Sequence, residues 1–209
     1  MKIIKIGIRR RHLAALTFFP TPEKIEGAEY EGENILVDRE ILERCFLKEN
    51  SEISDEELKE LVLASECYRA KQRALWYLSG GEISEKGLFD KLNKNFSEKA
   101  SAFAVSQMVS RGYVSDKRYA ELLVRSLNSK NISYKGAVSK MLSKGISLEL
   151  AKEVLADYGQ ENEQRVYNLL TTKYKNKMGD DDALRKTVAS LVRKGFSYSE
   201  IQAALKKLV

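Results

Sequence analysis

One pattern recurs through the last two thirds of this 209-residue chain and limits what it can fold into. Four segments align on a glycine: Tyr77-Leu78-Ser79-Gly80-Gly81, Met108-Val109-Ser110-Arg111-Gly112, Met141-Leu142-Ser143-Lys144-Gly145 and Leu191-Val192-Arg193-Lys194-Gly195. Each carries two large side chains four and three positions before its last glycine. The last three have a basic residue just before the glycine and Tyr113, Ile146 or Phe196 just after it. Physically this is a helix ending on a residue that takes positive φ, followed by an apolar residue that folds back onto the helix it left. A serine then caps the next helix: Ser84, Ser115, Ser147 or Ser197. The unit is a tight helix–turn–helix corner, and helices this short must stack to bury their stripes.

Further helices are expected between the corners, at about 98–111, 115–128, 133–144, 147–158, 161–176 and 182–194. They group into triplets at 71–111, 115–158 and 161–208. Three modules of ~45 residues in a row span on the order of 70 Å, the length of ~20 base pairs. The predicted division is an N-terminal β-rich extension with a linking helix (1–65), then three-helix modules at 66–112, 113–159 and 160–209.

The first part reads differently. Ile4, Ile6 and Ile8 alternate along residues 2–9, which predicts a half-buried strand with those three on one face. Leu13–Phe19 and Asn34–Val37 are further strand candidates. Asp38 opens a helical pattern whose stripe is Ile41, Leu42, Cys45 and Phe46. Ser54 and Glu57 have capping-box spacing, and the helix they open runs on through Leu78 to Gly80-Gly81.

Charge follows the same division. Residues 1–69 hold 11 Lys and Arg against 15 Asp and Glu, whereas residues 70–209 hold 25 against 15. Confinement of positive charge to the helical region points to a polyanion, or to an acidic protein surface. The chain has one His and two Cys, Cys45 and Cys67, with no CxxC, so no metal site, cofactor or disulfide framework is expected. Phosphate-loop, nucleophile-elbow, zinc-protease and dinucleotide motifs are all absent, and no catalytic residue is nominated. The N-terminus lacks a signal-peptide pattern, and no apolar run approaches a bilayer span. A cytoplasmic, reduced setting is expected.

At the corners the residues resemble the RecX family, bacterial regulators of RecA recombinase. The resemblance covers about residues 70–209. It rests on Ala74-Leu75-Trp76-Tyr77-Leu78 followed by Ser84, Leu88 and Lys91-Leu92, and on Val114-Ser115-Asp116-Lys117-Arg118-Tyr119-Ala120-Glu121. The corners at Gly145 and Gly195 complete it. The sequence departs from the family pattern at Gly80-Gly81-Glu82-Ile83 and at Lys140. The resemblance implies a mainly α protein of tandem three-helix, helix–turn–helix-like modules in an extended curved array, with a small β-rich N-terminal extension. It implies a monomer that binds the RecA–DNA filament, and single- and double-stranded DNA. The effect implied is inhibition of recombinase and ATPase activity in recombination, DNA repair and the SOS response.

Basic residues lining a concave helical surface would displace counterions from phosphates. Candidates are Arg73, Lys86, Lys91 and Lys94 in the first module. Arg111, Lys117, Arg118, Arg125, Lys130, Lys135, Lys140 and Lys144 follow, then Arg193 and Lys194. Lys117 and Arg118 sit at a helix start, where phosphate is favoured. Arg111, Lys144 and Lys194 share one repeat position, where a cation also complements a helix C-terminus. Trp76 and Tyr77 are candidates for base stacking, but their place among Ala74, Leu75 and Leu78 favours the core. Tyr113, Ile146, Phe196 and Tyr119 are expected to pack. Arg9-Arg10-Arg11 suits either a phosphate or a hairpin turn, and Gly179-Asp180-Asp181-Asp182 reads as a capped helix start. A sequence-reading helix–turn–helix transcription regulator, and a helical scaffold for an acidic protein, are the competing functions.

Overall fold

Serine caps and glycine corners organise the computed structural model, which describes residues 1–9, 12–177 and 180–208, with only the backbone of Lys177. Arg10, Arg11 and Gly179, named above, lie outside the described residues. The chain divides into two compact units, Met1–Val114 and Ser115–Val209.

The N-terminal unit begins with four strands: β1 (Lys2–Ile8), β2 (Leu13–Phe19), β3 (Glu29–Glu31) and β4 (Asn34–Asp38). They form an antiparallel sheet in the order β1-β2-β4-β3. Strand β3 was not expected, because Glu-Tyr-Glu carries no apolar alternation. The two residues Gly32 and Glu33 turn it into β4, with Gly32 at φ 64°.

The isoleucine face of β1 is also corrected. Ile3 is fully buried, while Ile4 and Ile8 are 51% and 68% exposed. The pairing with β2 shifts between Ile3 and Lys5. Such a bulge reverses the in–out alternation, so Ile3 and Ile6 both reach the core although they lie three apart.

Helix α1 (Arg39–Arg44) is capped by Asp38, whose carboxylate accepts from the Glu40 N–H at 2.9 Å. It ends before its predicted stripe is complete. Cys45 is the C-cap and Phe46 sits at φ 53°, so both are exposed and only Leu42 is fully buried.

Helix α2 (Asp55–Ser79) follows from the Ser54–Glu57 capping box. At 25 residues it is about 37 Å long. Its first half packs Leu58, Leu61 and Val62 against Ile3, Leu16, Ile35 and Val37 of the sheet. Its second half packs Ala70 and Ala74 against Leu88 and Leu92 of α3 (Glu85–Leu92) and Ala104 and Met108 of α4 (Glu98–Ser110). The alanines leave room for α4 to approach closely. Between the two halves lies Glu66, 5% exposed, which accepts hydrogen bonds from the Ser97 N–H (2.6 Å) and Oγ (2.7 Å) at the start of α4.

The C-terminal unit holds α5 (Asp116–Ser129), α6 (Tyr134–Ser143) and α7 (Leu148–Val154) around Leu127, Met141, Ile146 and Leu155. It continues with α8 (Asn162–Thr171), α9 (Asp181–Arg193) and α10 (Tyr198–Lys206) around Leu170, Leu191, Phe196 and Ile201. Helices α7 and α8 are shorter than predicted. The chain turns through Tyr158–Glu161, which lets the Tyr158 hydroxyl donate to the Ile132 carbonyl at 2.9 Å.

A serine caps α2 through α7 and α10, and Asp180 caps α9. Three of the four corners close as the repeat predicts, while Gly81 at the first has φ 131°. Gly112, Gly145 and Gly195 have φ of 71°, 88° and 89°. At each, the next residue's N–H returns to the carbonyl four residues before the glycine: Tyr113 to Met108, Ile146 to Met141, Phe196 to Leu191. A further corner uses Asn131, at φ 49°, with Ile132 returning to Leu127.

Tyr113 departs from its equivalents and is 51% exposed. Its corner has one residue more before the capping serine, and Val114 takes the buried place instead. Ile146 and Phe196 are buried, and Tyr119 is half-buried against its core.

Candidate nucleic-acid interface

Each candidate cation is exposed: Arg73, Lys86, Lys91, Lys94, Arg111, Lys117, Arg118, Arg125, Lys130, Lys135, Lys140, Lys144, Arg193 and Lys194. The repeat dictates where several of them sit. Arg111, Lys130, Lys144 and Lys194 are the C-cap residues of α4, α5, α6 and α9. There they complement the helix dipole with the side chain directed to solvent.

In the N-terminal unit the fold brings Arg73 and Lys91 to an aromatic pair. The Arg73 guanidinium lies 5.3 Å from the centre of the Trp76 ring, and the Lys91 ammonium 5.0 Å from that of Tyr77. The two rings meet edge to face, with centres 5.2 Å apart. Trp76 is 62% exposed, so the expectation that it fills the core is wrong. Ala70 and Ala74 hold the α2 contact with α3 and α4, which turns Trp76 outward; Tyr77 stays half-buried against that core. Lys86 pairs with Asp90 at 3.4 Å along α3.

In the C-terminal unit Lys117 reaches from α5 to Glu153 on α7 at 2.9 Å. That hydrogen bond, with the charge of Glu153, holds the Lys117 ammonium above its ordinary pKa. Both partners are exposed, so a phosphate can compete for the lysine at little cost. The helix ends that carry Lys135 and Lys194, distant in sequence, come together at a seam. Ser133, the cap of α6, donates to the Lys194 carbonyl at 2.5 Å, and its Oγ accepts from Gly136 N–H at 3.0 Å. A Cβ on Gly195 would lie 3.1 Å from the Lys135 Cβ.

Three features here were not anticipated. Arg165 is basic yet only 3% exposed. It donates to the Tyr158 carbonyl (2.5 Å), Asn162 (3.2 Å), Asn128 (2.7 Å) and Glu161 (2.9 Å), so it is a structural strut. The spacing of Asn162, Val166, Leu169 and Leu170 marks a buried face that Arg165 borders, which was a readable signal. The same seam holds Asn162, whose Oδ1 accepts from the Tyr134 N–H and whose Nδ2 donates to Glu200. An open apolar groove of about 1070 Å³ lies between α9 and α10, lined by Val188, Val192, Tyr198 and Leu205, with Arg185 and Lys206 at its rim.

Among the described residues no group of three or more His, Cys, Asp or Glu is placed to hold a metal ion, and no helix is long and apolar enough to cross a membrane. Burial, and then the charge of Glu66, push the Cys67 thiol up, which works against thiolate chemistry.

No family model matches the chain. It is 33% identical to the regulatory protein RecX of Caldanaerobacter subterraneus subsp. tengcongensis over 161 residues, 76% of this chain and 80% of that protein. The chain belongs to the RecX family. RecX of Clostridium beijerinckii is 28% identical over 218 residues, covering all of this chain and 96% of that one. A crystal structure of a regulatory protein RecX superimposes with TM-score 0.66 at 20% identity and covers 98% of both chains, which shows a shared fold. RecX from Lactobacillus salivarius gives TM-score 0.61 at 25% identity, over 69% of this chain and 97% of that one. The helical RecX fold with a small antiparallel sheet is therefore the fold of this protein.

Proposed function

We propose that this chain binds the RecA–DNA filament in the cytoplasm and restrains the recombinase, lowering its ATP hydrolysis and strand exchange without catalysis of its own. The observation that carries this reading is family membership joined to repeated cationic corners. Arg111, Lys130, Lys144 and Lys194 recur as exposed C-cap residues, each placed to offer its charge to a phosphate without disturbing a core. The apolar groove between α9 and α10, with its basic rim, suits the protein component of such a filament.

The test is a titration of the full chain onto preformed RecA filaments. The full chain is needed because a cut near residue 70 would sever α2. ATP hydrolysis and strand exchange should both fall at stoichiometric protein or below. Saturating protein that leaves both unchanged overturns the reading. Protection of one defined duplex sequence would indicate a sequence-reading regulator instead. Replacing Lys117 and Arg118 by Gln should lower the salt-dependence slope of DNA binding by about one to two.

A further inference from the structure

The N-terminal unit carries a surface whose chemistry the corner cations do not explain. Helix α2 presents Arg69, Gln72, Arg73 and Trp76 on one face, at i, i+3, i+4 and i+7. They line a cleft of about 860 Å³, together with Phe96 from the segment before α4. We propose that Trp76, flanked by Arg73 and supported by Tyr77 and Lys91, is a stacking site for unpaired bases of a single-stranded nucleic acid.

Four observations carry this. First, Trp76 is 62% exposed in the last turn of α2, and Ala70 and Ala74 make the core contacts of that half of the helix. A tryptophan left largely in water forgoes most of the hydrophobic free energy its ring could contribute. Second, the ring is held in place. Its edge-to-face neighbour Tyr77 is anchored on the helical core, so little order has to be gained on binding. Third, the cations select the ligand. Arg73 beside Trp76 and Lys91 beside Tyr77 repel a cationic guest and favour one that combines a π face with negative charge. A nucleotide strand has both, and a duplex keeps its base faces stacked internally.

Fourth, each of the four carboxylates that line the cleft, Glu29, Asp38, Glu40 and Glu43, has a partner of its own. Glu29 pairs with Arg69, Glu43 with Arg39 at 2.8 Å, and Glu40 with Arg44 and the Tyr68 hydroxyl. Asp38 accepts from the Glu40 N–H. The charge in contact with the exposed ring is that of Arg73. This inference deepens the filament reading and rests on it for the setting in which such a strand is met.

The chain has a single tryptophan, so its emission reports this site alone. The full-length protein is titrated with 20-nucleotide oligothymidylate, with oligouridylate, with a duplex of equal length and with inorganic polyphosphate. Single strands should quench Trp76 saturably, while duplex and polyphosphate bind without comparable quenching. The two single-strand arms show whether DNA or RNA is preferred. Trp76→Ala should weaken single-strand binding about fivefold or more and leave duplex binding nearly unchanged, and Trp76→Phe should keep most of the affinity. Circular dichroism confirms that both variants fold.

No quenching at saturating single strand overturns the proposal, as does equal quenching by polyphosphate or unchanged affinity in Trp76→Ala. If RecA inhibition persists in any of these cases, only the stacking site fails. If quenching persists without RecA inhibition, only the filament reading fails.

Discussion

In the N-terminal unit one helix serves two cores, whereas in the C-terminal unit two helical cores meet across a seam of polar side chains. Helix α2 passes from the sheet core at Val62 to the first helical core at Ala70 without a break. Glu66 reinforces the passage by holding the start of α4. In the C-terminal unit, α6 is tied to α9 by Ser133 and Lys194, α6 to α8 and α10 by Asn162, and α5 to α8 by Asn128 and Arg165. Backbone continuity couples the first pair of cores, and directed hydrogen bonds couple the second. A continuous helix loses cooperativity only by unwinding, while a seam can be opened by one side chain.

The sharpest way to break this comparison is a matched pair of substitutions. Arg165→Met should cost about 3 kcal/mol, because the Tyr158 carbonyl and the Asn128 and Asn162 side chains lose a buried donor. Glu66→Gln, which keeps one acceptor for Ser97, should cost about 1 kcal/mol. In urea, followed by residue-resolved hydrogen exchange, Arg165→Met should let the cores around Met141 and Leu191 open separately. Glu66→Gln should leave the N-terminal unit opening as one. Separate opening in both variants would end the distinction.

A second pair uses equivalent corners. Gly195→Ala places a Cβ 2.8 Å from the Ser133 Oγ at φ 89°, whereas at Gly112, φ 71°, nothing lies within 4 Å. Both substitutions suffer backbone strain of about 1 kcal/mol. Only Gly195→Ala also pushes on the seam, so its thermal midpoint should fall by more. Equal losses would show that the seam gives way without resistance.

The smallest effect is on acid stability, where the two capping boxes differ. Ser54 hydrogen bonds, from the backbone N–H first, lower the Glu57 pKa. For Glu200, burial pushes the pKa up, but hydrogen bonds from Asn162 and from the backbone and side chain of Ser197 outweigh it and leave the net value lowered. A carboxyl whose folded pKa is depressed contributes stability above its unfolded value, here 4.5, and that contribution is lost as pH falls through the folded value. Below about pH 4.5, protonation of Glu57 releases a single helix start, whereas protonation of Glu200 also releases Asn162 and hence the seam. Amide exchange at Ser54 and at Tyr134 should separate the two, with Tyr134 the more acid-sensitive.

Much of this was legible in order. A Schellman corner needs a residue that tolerates positive φ and an apolar residue after it, and both are letters in the sequence. Leu127-Asn128-Ser129-Lys130-Asn131-Ile132-Ser133 carries the same pattern as Met141-Leu142-Ser143-Lys144-Gly145-Ile146-Ser147. It escaped only because asparagine stands for glycine; asparagine also visits the left-handed region. The face of β1 was not legible, since a bulge between Ile3 and Lys5 depends on pairing with β2. Trp76 was misplaced because its neighbours in sequence are apolar, while Ala70 and Ala74 already complete the core contact of α2.

Local rules therefore settled most helix starts, the serine caps, three glycine corners and the family resemblance, because each depends on residues within about seven positions of one another. Which helix ends meet, that Trp76 is left wet and which arginine is buried were decided only by tertiary packing. Those outcomes depend on residues up to 61 positions apart, as Ser133 and the Lys194 carbonyl are, and no local period encodes such a distance.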